Sequence, residues 1–320
     1  MLRRVLLAGL LAAGLAAPAT AAFPEREIRF VCGFSAGGTC DLLSRLLAEH
    51  LTPIFGQRVI VENRTGASGM IAADYVAKSA PDGHTVVLAI MAMHAVQPVM
   101  PGLRMPFDVD RDLTPIANVA NVYNILVASP QAPFRTVQEL VAYAKAHPGR
   151  VTYASAGNGT SQHLSGELFK QLAGVDMLHV PYRGGAPAIV DIVAGRTDIM
   201  FGNMPEFLGQ IRGGGLRPIA FGAPRASPLF PGLPLIKESV PGFEIRNWFG
   251  VAGPGGMPQQ IIARWNEALR QVAEQKSFRE RMAESGMEII VGSPEEFRAT
   301  IAADRARWAE VIRKAGIRAD

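Results

Sequence analysis

Apolar residues along this chain alternate between two rhythms. Short continuous runs such as "EIRFVC" (27–32), "RVIVEN" (58–63) and "HTVVLAI" (84–90) read as buried strands. The segments between them carry apolar residues at helical spacing. Leu42, Leu43, Leu46, Leu47 and Leu51 follow the first strand, and a helix over 68–79 follows the second and stops at the turn "APDG". The middle repeats the pattern. Thr136 and Glu139 open the helix "VQELVAYAKA", "VTYAS" (151–155) is a strand, and Leu164, Leu168 and Leu172 mark the helix after it. "MLHVP" (177–181), "TDIMFG" (197–202) and "RPIAFGA" (217–223) read as further strands, and the chain ends in helices, the last opened by Ser293-Pro294-Glu295-Glu296.

Strands alternating with helices of ten or more residues predict an α/β fold with mostly parallel sheets and right-handed crossovers. Roughly five strands per sheet, counted twice, account for the length. "NVYNILVAS" (121–129) and "RNWFGVAG" (246–253) are the expected crossings between two domains. This predicts a clamshell in which domain 1 is 23–122 with 248–320 and domain 2 is 123–247.

The first 22 residues stand apart. Arg3 and Arg4, the run Val5–Ala17 and the small residues Ala19-Thr20-Ala21 have the three parts of a secretory signal, with cleavage expected near Ala21 or Ala22. This predicts an exported, periplasmic protein. With 320 residues, 48% of them hydrophobic, a sizeable core is available. Without Arg3 and Arg4 the basic residues fall from 32 to 30 against 28 acidic, and the charges are scattered. That balance argues against nucleic acid as a partner. Cys32 and Cys40 lie eight apart. A disulfide is chemically allowed between them in an exported protein, and two buried thiols is the alternative. Their spacing makes no zinc site.

The chemistry concentrates in three glycine-rich turns, each leading from a strand into a helix: "GFSAGGTCD" (33–41), "SAGNGTS" (155–161) and "PYRGGAP" (181–187). Unpaired N–H groups at helix starts favour negative charge, and the glycines admit a ligand close to the backbone. None of the three is a strict phosphate motif, and two lack Lys and Arg, which points to a small carboxylate rather than a nucleotide.

Together with "VIVENRTGASGMIAADYVAKSAPDGHT" and "WFGVAGPGGMP", these stretches closely resemble the Bug-type extracytoplasmic solute receptors of tripartite tricarboxylate transporters, in order and over nearly the whole chain after the leader. The resemblance implies the two-domain type II periplasmic-binding-protein fold, no catalysis, no cofactor, a small organic acid as ligand and a membrane permease as partner; the protein is expected to be a monomer. It implies a carboxylate held by backbone N–H groups, hydroxyls and water rather than by an Arg salt bridge. Carried over, the ligand-binding positions are Phe34, Ser35, Ala36 and Gly37 in the first turn. The second turn supplies Ser155, Asn158, Gly159, Thr160, Ser161 and His163, and the third Tyr182, Arg183, Gly184 and Gly185.

The chain departs from the family pattern after strands three and "TDIMF". It has Met91 and Met93 before His94 where a polar turn is usual, and Gly202-Asn203 where Asp-Asn is usual. Met91, His94, Gly202 and Asn203 are therefore added to the expected site, with core packing of Met91, Met93 and Met204 as the alternative. A cleft without the Asp and with thioethers argues against a ligand amine and for a carboxylate with an apolar or aromatic body. Two other classes compete: a ligand-sensing receptor for a membrane kinase, and a serine hydrolase built on Ser161 and His163. The second would need Gly where His163 stands.

Overall fold

The computed structural model describes residues 23–318; the expected leader and its cleavage site lie outside the described residues. Among the described residues ten strands form: β1 (Ile28–Cys32), β2 (Val59–Asn63), β3 (Thr85–Ile90), β4 (Leu113–Ala128), β5 (Thr152–Ser155), β6 (Leu178–Pro181), β7 (Ile199–Asn203), β8 (Arg217–Phe221), β9 (Arg246–Pro254) and β10 (Met287–Ile289). The helices of the first two-thirds are α1 (Thr39–Phe55), α2 (Met70–Ala77), α3 (Val109–Asp112), α4 (Val137–Ala146), α5 (Ser161–Ala173), α6 (Gly185–Val193) and α7 (Met204–Arg212). Then follow α8 (Ile236–Ser239), α9 (Gln259–Glu274), α10 (Lys276–Glu284) and α11 (Pro294–Ala315).

The strands lie in the order β2-β1-β3-β9-β4-β7-β5-β6, with β8 and β10 also paired to β4. Strand β4 joins two lobes. From Leu113 to Tyr123 it pairs with β9, and from Asn124 to Ala128 it pairs with β7. The cores divide in the same way. One surrounds Phe30, Trp248, Trp265 and Trp308, and two others flank the second lobe's sheet around Phe169, Phe201 and Phe243 and around Met200 and Phe207.

The sheets are more mixed than expected. Each lobe has three parallel strands, β2-β1-β3 or β7-β5-β6, while β4 runs antiparallel to β7, β8, β9 and β10. A strand buried on both faces has the same apolar run in either direction, so the pattern could not reveal this. Strand β4 also begins eight residues before the expected crossing. Its register shifts between Pro115 and Ala117 and again between Asn118 and Ala120, and such bulges break the apolar rhythm that marks a strand. The three-residue β10 was not anticipated. Nor was the stretch after β3, which forms a π-helical turn (Ala92–Val96) followed by a 3₁₀ turn (Gln97–Val99).

Helix α11 closes the first lobe. Ser293 and Glu296 cap it reciprocally, as their spacing predicts. It is pinned to β9 by the buried Trp248 indole, which donates to Asp304 Oδ2 at 2.6 Å. Asp304→Ala leaves that N–H unsatisfied and should cost about 1–3 kcal/mol of stability. Urea denaturation of the ligand-free variant checks this, and an unchanged midpoint would mean that the bond contributes nothing net.

Candidate functional site

The first turn leaves β1 at Cys32 and enters α1 at Thr39. Cys32 and Cys40 are joined as a disulfide with Cα atoms 5.9 Å apart, which settles the open alternative and clamps the two ends of the turn. Gly37 needs its positive φ of +83°. The start of α1 was expected to offer N–H groups to a ligand, but the chain fills them itself. The Gly37 N–H donates to Asp41 Oδ2 at 3.0 Å, and the Thr39 N–H and hydroxyl donate to Glu206 Oε1 at 3.1 and 2.6 Å. Burial opposes ionisation of Asp41, but hydrogen bonds from Arg45, Gly37 and Asn63 outweigh it and hold the carboxyl below its usual range. What remains facing the cleft is Ser35, whose hydroxyl oxygen is sealed from solvent and has no hydrogen-bond partner.

The second turn is also largely self-satisfied. Thr160 caps α5 and donates its hydroxyl to the Gly157 carbonyl at 2.6 Å. The Gly159 N–H donates to His163 Nδ1 at 3.1 Å, and the His163 ring stacks on His179 with centroids 4.3 Å apart. Ser155 lies 2.6 Å from His179 Nε2, is fully buried and is not among the residues lining the cleft. Thr160, Ser155 and His163 therefore shape the turn from behind, and Asn158 is its side chain at the cleft wall. Gly159 has φ +74° and does not line the cleft, so a bulky substitution there would strain the backbone and press on Met100 and Val96. Ser161 faces a smaller inner cavity of about 30 Å³, together with Asn203, Glu206 and Asn247.

In the third turn Tyr182 lines the cleft and donates its hydroxyl to Asp191 at 2.7 Å. Arg183 is exposed at the cleft mouth and makes no hydrogen bond or ion pair among the described residues. Gly184, with φ +152°, lies against Ser35 of the other lobe so closely that a Cβ would overlap the serine side chain. A Cβ on Gly157 would sit 2.6 Å from Ser68 Oγ. These two glycine contacts bring the lobes together around a cleft of about 820 Å³. Its apolar wall includes Phe34, Met70, Met100 and Leu103. Ser68, Gln97, Asn158 and Arg183 add polar groups.

Several expected site residues lie elsewhere. Met91 is in the core, where its sulfur accepts from the Trp308 indole N–H at 3.1 Å, and Met93 and Met204 are buried too. His94 is buried beside a separate cavity of about 190 Å³ lined also by Asp110 and Arg305. Gly202 is packed under the Phe207 ring. Asn203 is on the inner cavity, accepting from Asn247 Nδ2 at 3.2 Å. Among the described residues no Asp or Glu lines the cleft itself, but Glu206, three residues after Asn203, places a carboxyl group at the inner cavity between the lobes. Sequence reading missed it because an acidic residue behind Pro205 looks like ordinary first-turn helix chemistry. It also missed Gln97 and Met100, which follow the π turn and line the cleft.

The profile of the tripartite tricarboxylate transporter family receptor, TctC, matches residues 43–317. Protein BugT of Bordetella pertussis is 36% identical over 310 residues, covering 95% of this chain and 94% of BugT. Among solved structures, R. palustris Rpa4515 with adipate superposes with a TM-score of 0.90 at 35% identity, covering 92% of this chain and 99% of that one. MatC from Rhodopseudomonas palustris with bound malate gives 0.86 at 29%, covering 91% and 100%.

Burial pushes the His94 imidazole down to about 4 from 6.5. The unfolded chain thus takes up a proton that the fold refuses. The contribution is complete above pH 6.5 and is lost as the pH falls towards 4, amounting to about 2–4 kcal/mol. Denaturation at pH 7 and pH 4.5 should show that loss in the wild type, and His94→Leu should remove most of the difference. An equal pH dependence in both would contradict the assignment.

Proposed function

The chain belongs to the tripartite tricarboxylate transporter receptor family, and we propose that it captures a small organic carboxylate with an apolar or aromatic body between its lobes and delivers it to a membrane permease. The observation that carries this reading is the makeup of the cleft. Phe34, Met70, Met100 and Leu103 give it an apolar wall suited to a hydrocarbon or ring. Against that wall stand the unpartnered Ser35 hydroxyl and, at the mouth, the Arg183 guanidinium. Both donate and neither accepts a proton from an acid at neutral pH, which suits a carboxylate. Two structural neighbours are described with adipate and malate, both carboxylates, and this supports the class without choosing the compound.

In this reading residues 23–122 with 248–320 form one domain and 123–247 the other. The change of partner along β4 at Tyr123 and Asn124 supports that division. Closing on the ligand buries it in the cleft beside the Ser35–Gly184 contact, and the closed form is what a permease distinguishes from the empty receptor. Residues 1–22 serve as a cleaved export signal, and the receptor acts as a monomer without catalysis. No described helix is long and apolar enough to cross a membrane.

The protein should be unfolded, dialysed and refolded to remove carried-over ligand, then screened by thermal shift against mono- and dicarboxylates. A ligand at ~100 times its dissociation constant adds roughly 2.7 kcal/mol. Ser35→Ala should then weaken the best ligand by about 0.5–2 kcal/mol, roughly 2- to 30-fold by calorimetry, while leaving the empty protein's melting temperature in place. A protein that no carboxylate stabilises, and that hydrolyses an ester, would contradict the proposal.

A further inference from the structure

Glu206 sits where a ligand carboxylate would be expected. Its Oε1 accepts from the Thr39 N–H and hydroxyl at the start of α1, in the opposite lobe, and lies 3.4 Å from Asn203 Nδ2. Its Oε2 lies against the Gly185 backbone at the start of α6, where any Cβ would overlap it. The two helix starts face each other closely, since a Cβ on Gly38 would come 3.9 Å from the Gly185 nitrogen. Positive ends of two helices from opposite lobes thus converge on one carboxyl group that belongs to the protein. Oε2 is sealed from solvent and has no hydrogen-bond partner, and it borders the inner cavity of about 30 Å³, which is room for about one water. Burial raises the Glu206 carboxyl above its usual range, against the pull of the Thr39 bonds.

We propose that Glu206 is a built-in carboxylate that fills the inner anion position between α1 and α6, so that an incoming acid brings a single carboxylate, received in the outer cleft. Two consequences follow. The residue bridges the lobes in the way a ligand carboxylate would, and it excludes a second ligand carboxylate from the inner position. The ligand class narrows to monocarboxylic acids with an apolar or aromatic body. This last step rests on the carboxylate-receptor reading above, whereas the role of Glu206 as the inner occupant does not.

Chemical rescue tests that role, with acetate as the probe. Glu206→Ala removes the carboxyl group and leaves a space of matching size at Thr39. The variant should melt below the wild type, and 100 mM acetate should raise its melting temperature by about 2–4 °C while moving the wild type by less than a quarter of that. An equal amount of chloride should not substitute. Glu206→Gln keeps the shape and one acceptor oxygen, so it should fold and ignore acetate as the wild type does. Should Glu206→Ala fail to fold, Glu206→Ser takes its place in the same measurement. An acetate response that is absent from the shortened variant, or equal in the wild type and Glu206→Gln, would overturn the proposal. Because acetate is tested whether or not a natural ligand is known, failure here is distinct from failure of the carboxylate screen.

Discussion

The carboxyl group of Glu206, held on the Thr39 N–H and hydroxyl, is the contact on which the arrangement of the two lobes turns. It comes from the first turn of α7 in one lobe and ends on the first turn of α1 in the other. A carboxyl group at the positive end of a 17-residue helix is well placed electrostatically, and its burial makes the loss of that partner costly. Around this contact the glycine-rich turns close on one another, Gly184 on Ser35 and Gly157 on Ser68, with spacings that no side chain would permit. The glycines are therefore needed less to admit a ligand than to let the lobes meet.

The same logic explains why the turns are so polar. Most of their hydroxyls and N–H groups are spent inside the protein: Thr160 on Gly157, Ser155 on His179, Gly37 on Asp41. Buried polar groups without partners are expensive, so a turn that must hold its shape in a closed cleft satisfies itself first. The few donors left over, such as the Ser35 hydroxyl and the Arg183 guanidinium, are then free to define what the cleft accepts. They stand at the edge of an apolar wall, which fits an acid with a hydrocarbon or aromatic body.

Much of this was legible in the sequence and some was not, for identifiable reasons. The strand–helix alternation could be read because apolar runs and helical spacing survive in a single chain. The position of the three turns followed from them. The direction of β4 and β9 was hidden because doubly buried strands look alike in either sense. Glu206 was hidden because its neighbours in sequence explain it as a helix charge, and its partner Thr39 is 167 residues away. Methionine showed the same limit. Met91 looked like a cleft residue by position but is buried in the core, while Met70 at the start of α2 and Met100 beyond the π turn over Ala92–Val96 line the cleft. Local pattern reports which residues share an element, and it does not report what lies across a cleft from them.

The most direct test of this account is a crystal structure of the protein with a bound organic acid recovered from the carboxylate screen. The account predicts the ligand's carboxylate in the outer cleft within hydrogen-bond distance of Ser35, with its body against Phe34 and Met100 and with Glu206 still seated on Thr39. A ligand carboxylate found on the Thr39 N–H, with Glu206 swung out of its place, would contradict it.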